Sequence, residues 1–164
     1  MQALDQVQPT QPTSTDILTM ALRDLGVSPS VDSFEARKRI QKLGYILQKV
    51  GVLPSYGYIW YLHGPYAPEL TKDLYEIATQ RDFFLTRNQD RTFVPEIQER
   101  LMRLRELLRP VMENTGLLEA TASILFLGSN WRNVLSRLKP ALPAAVIEEA
   151  ERLVERLRRD SLIG

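Results

Sequence analysis

Residues 117 to 127, LLEATASILFL, constrain the fold more than any other segment of the chain. At helical spacing they are apolar almost all round, and a helix without a polar face must be covered on every side. The most buried helix of a helical domain is therefore expected here. Amphipathic segments flank it. Ser14, Thr15 or Asp16 can cap a helix in which Ile17, Leu18, Ala21, Leu22 and Leu25 recur at three- and four-residue spacing, with Gly26 as its stop. Asp32 and Ser33 precede Glu35 and open a second helix that runs to about Val50, ended by Gly51 and Pro54. Projected at helical pitch, Ala36, Ile40, Leu43, Leu47 and Val50 share one side. Lys38, Gln41, Lys42, Tyr45 and Lys49 gather on the other, which predicts an exposed polar stripe.

Between this helix and the apolar one the pattern changes. Tyr56 to His63, YGYIWYLH, is aromatic and β-branched with breakers at both ends, and reads as a short strand or buried extended segment. His63-Gly64-Pro65-Tyr66-Ala67-Pro68 is a rigid loop, and Pro68 suits the first turn of a helix carrying Leu70, Leu74, Ile77 and Ala78. Phe83 to Thr86 and Thr92 to Val94 flank the turn-rich Arg87-Asn88-Gln89-Asp90, the pattern of a small wing-like β-hairpin. Pro95 opens a helix with Ile97, Leu101, Leu104, Leu108 and Val111, which Gly116 stops. Trp131 to Leu138 form a short connector. A last amphipathic helix runs from about Pro143 to Arg159, its polar side holding Glu148, Arg152, Glu155 and Arg159 at ion-pair spacing. The expected fold is mainly α (α+β): a compact domain of about six helices with a short strand and a small hairpin, over residues 14 to 164. Residues 1 to 13, polar and aperiodic with Pro9 and Pro12, are expected to form a disordered tail.

Composition narrows the function classes. With no cysteine in 164 residues, disulfides, thiolate metal sites and cysteine nucleophiles are excluded, and a reducing, cytoplasmic location is expected. Residues 1 to 16 have neither a basic start nor an apolar stretch, and no window approaches a membrane span, so no membrane partner is expected. Twenty-one basic against twenty acidic residues leave a net charge of +1, so any basic surface is local. His63 is the only histidine, which removes triads and metal sites needing two imidazoles. No phosphate loop, Glu-x-x-His or Gly-x-Ser-x-Gly element occurs, so no catalysis and no cofactor or metal are expected.

Three segments together resemble the SocA-like, or Panacea, antitoxin domain family, and within it the YwgA-like branch. Tyr61-Leu62-His63-Gly64-Pro65-Tyr66-Ala67-Pro68-Glu69-Leu70 is similar to the family signature nearly position for position. Arg39 to Leu47 is close to its pattern of Gln-Lys-Leu followed by a tyrosine and an apolar pair, although Gly44 stands where the family usually has a larger apolar residue. Leu118 to Leu127 looks like its buried Leu-Glu helix. The likeness covers about residues 33 to 127. It implies a small helical domain with a minor β element, no cofactor, and an antitoxin or adaptor role exerted by contact with a partner protein, such as a toxin or a subunit of a protease or other complex.

The candidate partner-binding residues are Lys38, Gln41, Lys42, Tyr45, Tyr61, His63, Gly64, Pro65, Tyr66 and Glu69. Two readings of His63-Gly64-Pro65-Tyr66 stand together: a corner that fixes the strand-to-helix turn, and a direct partner contact. Within the strand, either Tyr58 and Trp60 or Tyr61 and His63 face outward. The cations Arg37, Lys38, Arg39, Lys42 and Lys49 form either an ordinary solvated face or one that meets an acidic protein or a phosphate backbone. The second choice of function is a winged-helix-like DNA-binding regulator, with the wing at Phe83 to Val94 and Arg37, Arg39, Lys49, Arg81, Arg87 and Arg91 as nucleic-acid contacts. A third is a subunit of a larger complex without activity of its own. The last helix either packs within the domain or pairs with its copy in a homodimer.

Overall fold

The computed structural model describes residues 11–54 and 56–164, and most of the expected tail lies outside them. Among the described residues the chain is mainly helical with one small two-stranded hairpin. Helix α1 (Ser14–Leu25) is capped one residue earlier than expected: Thr13 accepts from the Asp16 amide, and the Asp16 carboxylate accepts from the Thr13 amide, a reciprocal box that leaves Asp16 inside the first turn. Helix α2 (Phe34–Lys49) starts at its expected cap, Ser33. Strands β1 (Ile59–Tyr61) and β2 (Gly64–Tyr66) pair antiparallel, Ile59 opposite Tyr66 and Tyr61 opposite Gly64. Helix α3 (Pro68–Thr79) follows with proline in its first turn.

The wing is not formed. Residues Arg81–Arg87 are a helix, α4, and no strand occurs between Arg81 and Val94. The β-prone Phe83-Phe84-Leu85 run is overridden by tertiary contacts. Phe84 is buried in the core, and Asn88 donates from its side-chain amide both to the Phe84 carbonyl (2.8 Å) and to Asp16 Oδ1 (3.0 Å) at the start of α1. Arg87 and Arg91 reach the same carboxylate at 3.1 and 3.4 Å. A buried acid thus collects the end of α4 and the turn after it.

Helix α5 (Pro95–Leu108) ends at a 3-10 turn through Pro110. Gly116 is no stop: it lies in the first turn of α6 (Thr115–Leu127), capped by the Asn114 side chain on the Leu117 amide. The expected connector is itself a helix, α7 (Trp131–Leu138), and α8 (Ala144–Arg159) closes the fold. Helix α6 is central as its composition requires, packed against α2, α7, α8 and β2. The core is two apolar clusters, one around α1, α2, α3 and α5, the other between α6, α7 and α8, bridged by Val111, Leu125 and Ile163. Ala150, Leu153, Val154 and Leu157, the apolar face of α8, are spent in this packing. Among the described residues no helix is long and apolar enough to cross a membrane.

Candidate functional site

Residues 39–47, 61–70 and 118–127 converge where β1, β2 and the start of α3 lie across α2 and α6. Two adjacent residues of α2 hold this corner. The Gln41 amide brackets Ala67, accepting from its N–H and donating to its carbonyl, both at 3.0 Å, and donates to Thr71 Oγ1 at 2.6 Å; Thr71 in turn donates to the Tyr66 hydroxyl. Lys42 Nζ donates to the Pro65 carbonyl at 2.7 Å. From the other side Lys139, just past α7, donates to the Leu62 carbonyl at 2.8 Å. Two ammonium groups therefore clamp two carbonyls of one hairpin. Gly64 makes the fit possible: its φ is +91°, and a side-chain carbon there would stand 2.8 Å from Ser123 Oγ and 3.9 Å from Lys42 Nζ.

Beneath the hairpin Glu119, 4% exposed, bridges Lys38 (2.6 Å) and Lys139 (2.7 Å). Burial alone would raise its pKa, but the bonds from Lys139 and Lys38 prevail and hold the carboxyl below its ordinary 4.5. Lys42 goes the other way. Burial, reinforced by repulsion from Lys38 and Lys139 and only partly offset by Glu119, brings its pKa down to about 8. Desolvation, together with Lys38, Lys139 and Lys42, also depresses that of His63 against the pull of Glu119.

Above this network lies a cleft of about 400 Å³ between the first turns of α2, the hairpin and α3. Its walls include Phe34, Tyr61, Leu62 and Tyr75, which are 50%, 55%, 72% and 44% exposed. Phe34 meets His63 edge-on with centroids 5.0 Å apart, and Tyr61 leans on Tyr66 at 5.6 Å. These rings are held in place on one side and open to solvent on the other. A larger cleft of about 630 Å³, where Lys49 and Arg158 face Glu151 and Glu155, lies elsewhere and mixes both charges.

The expected exposed stripe on α2 needs correction. Gln41, Lys42 and Tyr45 are buried, at 4%, 2% and 7% exposure, because the hairpin and α6 cover the polar side of α2. Tyr45 packs edge-on against Tyr58, centroids 4.8 Å apart, and tilted against Phe126. Gly44 marks the same closeness: a side-chain carbon on it would overlap Leu70 Cδ1 and stand 2.8 Å from the Tyr58 hydroxyl. Gly64 and Pro65 are buried and Tyr66 half-buried, whereas Tyr61, His63 and Glu69 are exposed. The strand thus turns Tyr61 and His63 outward and leaves Tyr58 and Trp60 partly covered.

The proposed nucleic-acid contacts do not gather. Arg37 donates to the Val31 carbonyl (2.8 Å), Arg39 pairs with Glu113 (2.6 Å), Arg81 bonds Ser28 (2.6 Å), and Arg87 and Arg91 serve Asp16. Lys49 is exposed in the other cleft. Phe34, Tyr75, Glu119 and Lys139 lie outside the site residues that the sequence singles out, whereas Leu62 falls within the Tyr61 to Leu70 corner without being named on its own. Glu119 carried a signal, as the sole charge in an apolar helix that has to find cationic partners once buried. Among the described residues no three acidic or imidazole groups come together as metal ligands. No family model, no curated protein and no solved structure matches this chain.

Proposed function

We propose that this chain is a non-catalytic protein-binding domain of the cytoplasm, an antitoxin-like neutraliser or adaptor, whose partner docks on the cleft between α2, the hairpin and α3. The observation that carries this reading is the concentration of four large, well-exposed apolar side chains, Phe34, Tyr61, Leu62 and Tyr75, around one concavity. Isolated exposed apolar residues are ordinary, but aromatic ones clustered around a cleft have the make-up of an interface core. Their mounting supports the same view. The hairpin is fixed by Lys42, Lys139 and Gln41, so little freedom remains to be lost when a partner orders it. The resemblance to the SocA-like family points to the same kind of role, with most of its signature residues building the corner and Tyr61 and His63 facing outward. DNA binding is disfavoured, since the wing is missing and most of the candidate cations are engaged within the domain.

Capture from host lysate with the tagged chain tests this reading. One protein recovered in stoichiometric amount, resistant to nuclease and lost with Leu62→Asp while the variant stays folded, is the expected result. Recovery unaffected by Leu62→Asp, or dominated by nuclease-sensitive material, overturns it.

A further inference from the structure

We infer that the partner enters this cleft with an acidic segment, in which an Asp or Glu side chain sits beside an aromatic or branched apolar one. The inference rests on the docking reading above and adds the chemistry of the occupant. The cleft is lined by Arg37, Lys38, Lys42 and His63 and by no carboxylate. Behind it three lysines, 38, 42 and 139, share the single carboxylate of Glu119, so positive charge is left in excess in a poorly hydrated place. An anion arriving from outside relieves that excess, and its attraction to the cluster is strengthened by the low local polarity. Arg37 is the natural first contact. It is half-exposed and donates one N–H to the Val31 carbonyl, which leaves most of a five-donor fork to meet a carboxylate. The apolar neighbour on the ligand has Phe34, Tyr61 and Tyr75 to lie against.

The dimensions favour a peptide over a nucleic acid. About 400 Å³ takes a few side chains, whereas a phosphate backbone needs cations spaced along a groove, and the remaining arginines are dispersed over other faces. The titratable groups facing Lys42 are Lys38 from its own helix, Glu119 from α6, Lys139 after α7 and His63 from the hairpin. A carboxylate in the cleft stabilises the charged form of Lys42. Affinity therefore falls as pH rises past the value at which the free protein's Lys42 loses its proton.

The test is selection of a random heptapeptide display library on the folded full-length chain. Enriched sequences are expected to place Asp or Glu within two positions of Phe, Tyr, Trp or Leu. A synthetic peptide from that set should lose about tenfold in affinity when its acid becomes the amide, and a comparable amount against Arg37→Gln, as expected for a charge-assisted bond. Circular dichroism checks that Arg37→Gln stays folded, and Tyr75→Ala, on α3 across the cleft from α2, offers a second variant that should also weaken binding. No enrichment, enrichment indifferent to acidic residues, or tighter binding of a ten-nucleotide oligo-dT overturns the inference. Cleft-dependent enrichment of purely apolar peptides would remove the acidic requirement yet leave the docking reading intact, whereas that reading falls only if Leu62→Asp leaves partner capture unchanged or the captured material proves nuclease-sensitive.

Discussion

Replacing Glu119 by glutamine removes the one negative charge that Lys38 and Lys139 share, without changing the volume of the side chain. Glu119 is 6% exposed at its side chain, and its partners 15% and 14%, so water compensates little for what is lost. Breaking a buried pair by deleting one member costs about 3 to 5 kcal/mol, and the lower end applies here because both lysines keep a small exposed fraction. In a domain of this size about 3 kcal/mol corresponds to a melting temperature lower by roughly 6 to 12 °C. Urea and thermal unfolding at pH 7 measure it directly. The pH profile gives an independent sign. A carboxyl whose pKa is depressed on folding contributes stability above its ordinary 4.5 and loses it as pH falls through the lower folded value, so the gap between wild type and Glu119→Gln should close in acid. A loss below about 1 kcal/mol at pH 7, the range of solvent-exposed pairs, would refute the claim that this triad anchors the hairpin to α6.

Three further outcomes are expected. Gly64→Ala forces a side-chain carbon into a left-handed backbone and against Ser123, and should cost about 2 kcal/mol or more in unfolding free energy. Gly44→Ala should destabilise by about 1 to 3 kcal/mol through overlap with Leu70 and Tyr58, although alanine is the better helix former by about 1 kcal/mol; a stabilised variant would show that α3 can move away. Lys42, with its folded pKa near 8 against an ordinary 10.5, binds protons less well folded than unfolded, so it makes stability rise with pH between those values; Lys42→Met should lack that rise in pH-dependent melts.

Most of the helices were legible because their signals are local: Ser33, Pro68 and Pro95 mark helix starts that need no tertiary information, and the cap of α1, Thr13, lies one residue before the expected Ser14. The apolar circumference of α6 likewise announced its central place. What failed was decided at a distance. The Phe83 to Val94 segment has hairpin propensity, but Asp16, some seventy residues earlier, draws Arg87, Asn88 and Arg91 into a helix end. The polar side of α2 looked solvated because periodicity separates apolar from polar residues and cannot tell water from a buried network. Gln41 and Lys42 lie inside because Ala67 and Pro65 offer them backbone partners. The outward cleft was half visible, through Tyr61 and His63, while Phe34, Leu62 and Tyr75 join it only once α2, the hairpin and α3 meet.

The most direct test of the account is partner binding compared across wild type, Leu62→Asp and Lys49→Ala, the last probing the separate mixed-charge cleft. With the protein captured by wild type as ligand, titration calorimetry should show binding lost with Leu62→Asp and unchanged with Lys49→Ala. Equal affinity for all three, or loss with Lys49→Ala alone, would place the binding surface away from the hairpin cleft and contradict the central claim.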